Sequence, residues 1–221
     1  MVEIMTTIFT EQTAGGKLVF EFSDKWQVCK YDEQYFYQKI KNQSLKGVDF
    51  IALSDKGLLL MEIKYVVASD ENSKLRFTID ADSEKIKAIK SQFRPEQLNT
   101  VNISSARPYL VDEVSKKIRD TLLGLFASYR AQEAILSPYA QSLFTNHELP
   151  ILVLLFLERT TELNKAENFK PLAINLQLAI EQKLSFLGNI QVGVVNSLTL
   201  PPALEISILE NIPACSLRAT G

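Results

Sequence analysis

The chain of 221 residues is 46% hydrophobic and 23% charged, enough apolar content to bury one sizeable core, so it need not be disordered. Its formal net charge of −2 excludes a protein held on nucleic acid by bulk charge alone, while leaving room for a local basic surface that engages phosphates. The longest apolar run, Ile151 to Leu157, is too short to span a bilayer, so no membrane partner is expected.

Met1-Val2-Glu3-Ile4 has no basic stretch followed by an apolar one, so a secretory leader is not expected either. Cys29 and Cys215 lie far apart without metal-ligand spacing. Two reduced structural thiols in a cytoplasmic protein are the expectation.

In chain order, Gly15-Gly16 reads as a turn and Lys17 to Phe22 as a strand. Tyr31 to Lys41 has helical spacing, with Glu33, Phe36, Tyr37 and Ile40 on one stripe and Asp32 placed to cap the start. Two apolar runs, Val48 to Leu53 and Leu58 to Val67, flank Ser54-Asp55-Lys56-Gly57, which predicts a β-hairpin. Ser69 to Pro108 is polar and mixed in charge, a surface insertion with a short strand at Leu75 to Ile79 and a helix at Ser83 to Phe93. Val111 to Ala134 is a long amphipathic helix with Ile118, Leu122, Leu125, Phe126 and Tyr129 on its apolar stripe. Ile151 to Leu157 is a buried strand. Asn168 to Leu187 is a helix with Pro171 in its first turn and Gly188 at its end. Ile190 to Val195 is a strand, and Leu204 to Leu209 an edge strand. Continuous apolar strands imply a sheet covered on both faces, hence a single α/β domain over residues 1–221 with a mixed sheet.

The hairpin carries the chemistry. With the turn centred between Asp55 and Lys56, residue 54 faces 57, 52 faces 59 and 50 faces 61. Asp49 then falls opposite Glu62, with Cβ atoms ~5 Å apart, and Lys64 points to the same face two residues on. Both faces of the hairpin are otherwise apolar. Two opposed carboxylates repel by roughly 3–4 kcal/mol at an effective dielectric of ~20, which calls for a raised pKa, the Lys64 ammonium or a divalent cation to offset it. The plainer alternative is a Glu62–Lys64 ion pair at a sheet end, with Asp49 a turn or capping group.

Gly47-Val48-Asp49, the hairpin, and Glu62-Ile63-Lys64, with a helix before and a helix and strand after, resemble the PD-(D/E)XK nuclease superfamily. Val48 stands where the motif's proline would be. The resemblance covers Tyr31 to Val67 and, more loosely, Val111 to Leu157. It implies a restriction-endonuclease-like core, its mixed sheet flanked by helices on both faces. It implies a hydrolase cutting phosphodiester bonds, with DNA as partner. Asp49 and Glu62 would be the metal ligands for Mg²⁺ or Mn²⁺, and Lys64 would sit beside the attacking water. Members often add an acid from the first helix, which makes Glu33 the fourth candidate.

Other features weigh less. His147 is the only histidine and reads as a surface residue. No P-loop, dinucleotide or Gly-x-Ser-x-Gly fingerprint occurs. Lys85, Lys87, Lys90, Arg94, Lys116, Lys117 and Arg119 offer a phosphate-tracking surface or simply solvated helix faces. A second function class stays open: a catalytically silent domain of the same fold, serving nucleic-acid binding or protein assembly as a homodimer or with another partner.

Overall fold

The computed structural model describes residues 6–66, 76–77, 84–98 and 109–214. Its strands are β1 (Thr7–Thr13), β2 (Gly16–Phe22), β3 (Gln27–Lys30), β4 (Phe50–Ser54), β5 (Gly57–Tyr65), β6 (Ile151–Glu158), β7 (Ile190–Val195) and β8 (Ile206–Pro213). Its helices are α1 (Tyr35–Ile40), α2 (Glu84–Lys90), α3 (Pro95–Leu98), α4 (Leu110–Arg130), α5 (Ser137–Thr145), α6 (Thr161–Asn164) and α7 (Ala166–Leu184).

The strands form two sheets. One has the order β3-β4-β5-β6-β7, antiparallel through β3, β4 and β5 and parallel through β5, β6 and β7. The other is antiparallel, β1-β2-β8. The fold is therefore mixed α/β. The parallel steps follow from connections long enough to carry a helix back across the sheet.

Alternation along β4 and β5 sorts their side chains between two cores. Ile51, Leu58 and Leu60 join Val111, Val114, Ile118 and Leu125 of α4 and Phe169, Leu176 and Ile180 of α7. Phe50, Ala52, Leu59, Met61 and Ile63 join Leu18, Phe20 and Phe22 of β2, with Trp26 and Ile206. This corrects the expectation of helices on both faces. Among the described residues the second face is covered by the small sheet, whose apolar side is supplied by β2.

Other boundaries differ locally. Residues 31–33 form a 3-10 turn, and Gln34 in extended conformation separates it from α1. Asp32 makes no capping hydrogen bond there. Pro171 lies inside α7 rather than in its first turn, because the helix begins at Ala166. Of the strand expected at Leu75 to Ile79, Arg76 and Phe77 form a turn and the rest lies outside the described residues. The buried stripe of α4 includes Ser115, Thr121 and Ser128. Phe126 and Tyr129 are half-exposed and pack on Phe144 of α5.

Candidate active site

The hairpin pairs as its turn dictates: Ser54 with Gly57, Ala52 with Leu59, Phe50 with Met61. The β4 ladder stops at Phe50, while β5 runs on to Tyr65. Asp49 spans the gap. Its Oδ2 accepts the Ile63 N–H at 2.6 Å, and its backbone carbonyl accepts the Tyr31 N–H at 2.9 Å. Residue 49 is thus held by its carboxylate to β5 and by its backbone to the 3-10 turn that follows β3. Glu62 and Lys64 follow on β5, beside Leu155 and Leu157 of β6.

Glu62 is fully buried and Asp49 nearly so. Lys64 Nζ lies 2.7 Å from Glu62 Oε1 and 2.7 Å from Glu113 Oε1. Lys117 Nζ lies 2.7 Å from Glu62 Oε1, 2.8 Å from Oε2 and 3.5 Å from Asp49 Oδ1. Arg76 pairs with the other oxygen of Glu113. Acids and bases alternate along one chain, from Asp49 through Lys117, Glu62, Lys64 and Glu113 to Arg76.

The electrostatics follow from this alternation in a dry place. Burial, then the charge of Asp49, push the Glu62 carboxyl up to about 7 against the pull of both lysines. Burial opposes the charge on Lys117, but Glu62 and Asp49 outweigh it and raise its pKa. Lys64 is likewise raised, its burial overcome mainly by Glu62 and Glu113. Glu113 is held below the usual carboxylate range because Lys64 and Arg76 overcome its burial.

The sequence trio Asp49, Glu62 and Lys64 is therefore brought together. Both elements of the plainer alternative are present as well, the Glu62–Lys64 ion pair and the capping role of Asp49. Glu33 is not brought in: it sits exposed on the 3-10 turn and pairs with Lys30 at 2.7 Å. Its neighbour Asp32 is the residue turned toward the site, and burial, then Asp49, push it up to about 6.

Lys117 and Glu113 were missed as site residues. Lys117, expected on an outer basic surface, faces inward because Val114, Lys117, Ile118 and Thr121 share one stripe of α4. A basic residue at that spacing among buried neighbours was the available signal. Glu113 stands one turn before it on the same flank. Of the other basic residues, Lys116 pairs with Asp120 on the surface, Arg119 donates to the Ser115 carbonyl, and Arg94 is exposed. His147 is exposed and lies at the far end of the sheet, in the loop before β6. Cys29 is a buried free thiol, pushed up to about 12 by burial.

The site's fit to a divalent cation rests on its oxygens. Asp49 and Glu62 already converge on one cationic atom, the Lys117 ammonium. Glu62 Oε1 is buried and contacted by two ammoniums, yet receives no well-directed hydrogen bond. An all-oxygen donor set suits Mg²⁺ or Mn²⁺. Among the described residues no group of three or more His, Cys, Asp or Glu is placed to hold a metal ion. No helix of the described residues is long and apolar enough to cross a membrane. No family model, no curated protein and no solved structure matches this chain.

Proposed function

We propose that this chain is a divalent-metal-dependent nuclease that hydrolyses phosphodiester bonds in DNA. The observation that supports it is the convergence of Asp49 and Glu62 on one cationic atom, the Lys117 ammonium, with Lys64 ion-paired to the same Glu62 oxygen. Asp49 and Glu62 would hold Mg²⁺ or Mn²⁺. When bound, the ion supplies Lewis-acid polarisation of the scissile phosphate and acidification of a water. Lys64, tethered by Glu62 and Glu113, would hold its ammonium against charge developing on the phosphate. Glu113 and Arg76 orient Lys64. Lys117, which now neutralises Asp49 and Glu62, would be free to pair with substrate phosphate if a cation took those carboxylates. The element order around the hairpin, which resembles the PD-(D/E)XK nucleases, supports the same reading.

One observation favours a second reading, a silent domain used for binding or assembly. Lys117 already neutralises the two carboxylates, as a built-in replacement for the metal. Cleavage assays on duplex, single-stranded, flap and junction DNA with Mg²⁺, Mn²⁺ or EDTA decide between them. Metal-dependent cutting by wild type, lost in Lys64→Ala, supports the nuclease. No cutting of any form by folded wild type hands the site to the second reading.

A further inference from the structure

Beyond β6, the chain turns at Arg159, Thr160 and Thr161 into the cleft at the carboxyl ends of β5 and β6. This cleft, of about 270 Å³, is lined by Tyr65, Glu158, Arg159, Thr160, Thr161 and Asn164, with Asn211 and Pro213 of β8 walling its small-sheet side. Lys64 is paired with Leu157 in the parallel ladder, so Arg159 follows two residues past the level of the candidate catalytic lysine. Its guanidinium lies over the ring of Phe77, 4.8 Å from the centroid, and Phe77 packs on the helix-side core that Lys64 borders.

Arg159 forms no ion pair among the described residues, and its buried Nε has no hydrogen-bond acceptor. Burial works against its charge. The acid next door does not serve it. Glu158 is saturated by Asn164 Nδ2 at 2.6 Å, Asn211 Nδ2 at 2.6 Å, Ser197 Oγ at 2.9 Å and the Ser197 N–H at 3.0 Å. The basic residues described around Lys64 have acids: Lys64 and Lys117 share Glu62, and Arg76 has Glu113. A guanidinium seated over an aromatic ring beside this cleft, with no acid paired to it among the described residues, is a planar fork without its anion.

We infer that the Arg159 cleft binds a backbone phosphate of the nucleic-acid substrate next to the one presented to Lys64. The choice of ligand rests on the nuclease reading above. Arg159 is a positioning residue: it supplies the anchor that sets which phosphodiester reaches the hairpin, and the Thr160 and Thr161 hydroxyls complete its hydrogen bonding.

The test is fluorescence anisotropy of a fluorescein-labelled DNA duplex across a salt series, in Ca²⁺ or EDTA so that cutting is not needed. Wild type, Arg159→Met and Arg159→Lys are compared, each checked by melting temperature, and wild type is assayed separately for Mg²⁺-dependent cleavage. Arg159→Met binds on the order of tenfold more weakly, and its slope of log affinity against log salt is shallower by about 1. Arg159→Lys keeps the slope but not the full affinity, because the charge remains and the fork does not. Folded Arg159→Met with wild-type affinity and slope overturns the proposal, even if wild type cuts DNA. Loss of binding in Arg159→Met while wild type binds but never cuts sustains the phosphate site and removes the nuclease. Wild type that binds no DNA overturns both.

Discussion

Lys117 straddles both oxygens of Glu62, at 2.7 and 2.8 Å, although the two residues belong to the long helix and to the central strand. This contact closes the open end of the hairpin with a positive charge drawn from the other layer. It makes α4 a part of the site rather than a cover over it.

Lys117→Ala should therefore lower stability in EDTA, by on the order of 3 kcal/mol, because Glu62 and Asp49 lose their shared counter-charge inside the protein. Millimolar Mg²⁺ should restore much of the loss, and should shift this variant's melt more than that of wild type. Denaturant melts with and without metal measure both. Equal metal shifts in the two proteins would show that Lys117 does not compete for the carboxylates.

Lys64→Ala should leave the fold intact and slow cleavage at least ~10²-fold, about 2.7 kcal/mol of barrier. The fold survives because Glu62 keeps Lys117 and Glu113 keeps Arg76. Circular dichroism and single-turnover cleavage read the two effects separately. Undiminished cutting by the folded variant removes Lys64 from the mechanism.

Asp49→Asn should retain the hairpin, since an amide oxygen can still accept the Ile63 N–H, but should lose the metal-linked rise in melting temperature. A site at ten times its dissociation constant contributes roughly 1.4 kcal/mol by linkage, a shift of a few degrees that calorimetry resolves. Its persistence in Asp49→Asn would place the metal elsewhere.

Asp32 provides the pH dependence. Its folded pKa is raised to about 6 from an ordinary value of 3.8, so the folded state holds the proton more tightly than the unfolded one. The penalty is absent below the unfolded value, grows through pH 4 to 6 and is complete above it. Asp32→Asn should stabilise the protein at pH 7 to 8, by on the order of 1 kcal/mol after allowing for solvent screening, and leave it unchanged below pH 4. Urea melts across that range check the sign; a gain at low pH would contradict it.

Gly124→Ala should destabilise by roughly 1–3 kcal/mol despite the better helix propensity of alanine. A Cβ there would stand 2.0 Å from the Tyr31 hydroxyl, and the Tyr31 ring already leaves no room for a Cβ at Gly47. Since the Tyr31 N–H holds the Asp49 carbonyl, cleavage should fall with stability. A neutral melt would show that Tyr31 can shift freely.

Local patterning by itself determined much of this protein. The four-residue turn and the alternation of β4 and β5 set the register, and with it the face shared by Asp49, Glu62 and Lys64, because strand periodicity leaves only two faces. The long helix and the parallel strands β6 and β7 were legible from their apolar spacing for the same reason. What covers each face was not legible, because an apolar side chain is as well buried by a sheet as by a helix. The small strand β3 owes its pairing to β4, beyond an intervening helix, whereas β1 pairs with β2 across the tight Ala14-Gly15 turn but has too polar a sequence to announce a strand. Glu33 was displaced from the site by one extended residue, Gln34, that no periodicity reveals. Only the tertiary structure decided that Lys117, and not a further acid, meets Glu62 and Asp49, because that partnership joins residues 55 and 68 positions apart, brought together by the packing of α4 across the sheet.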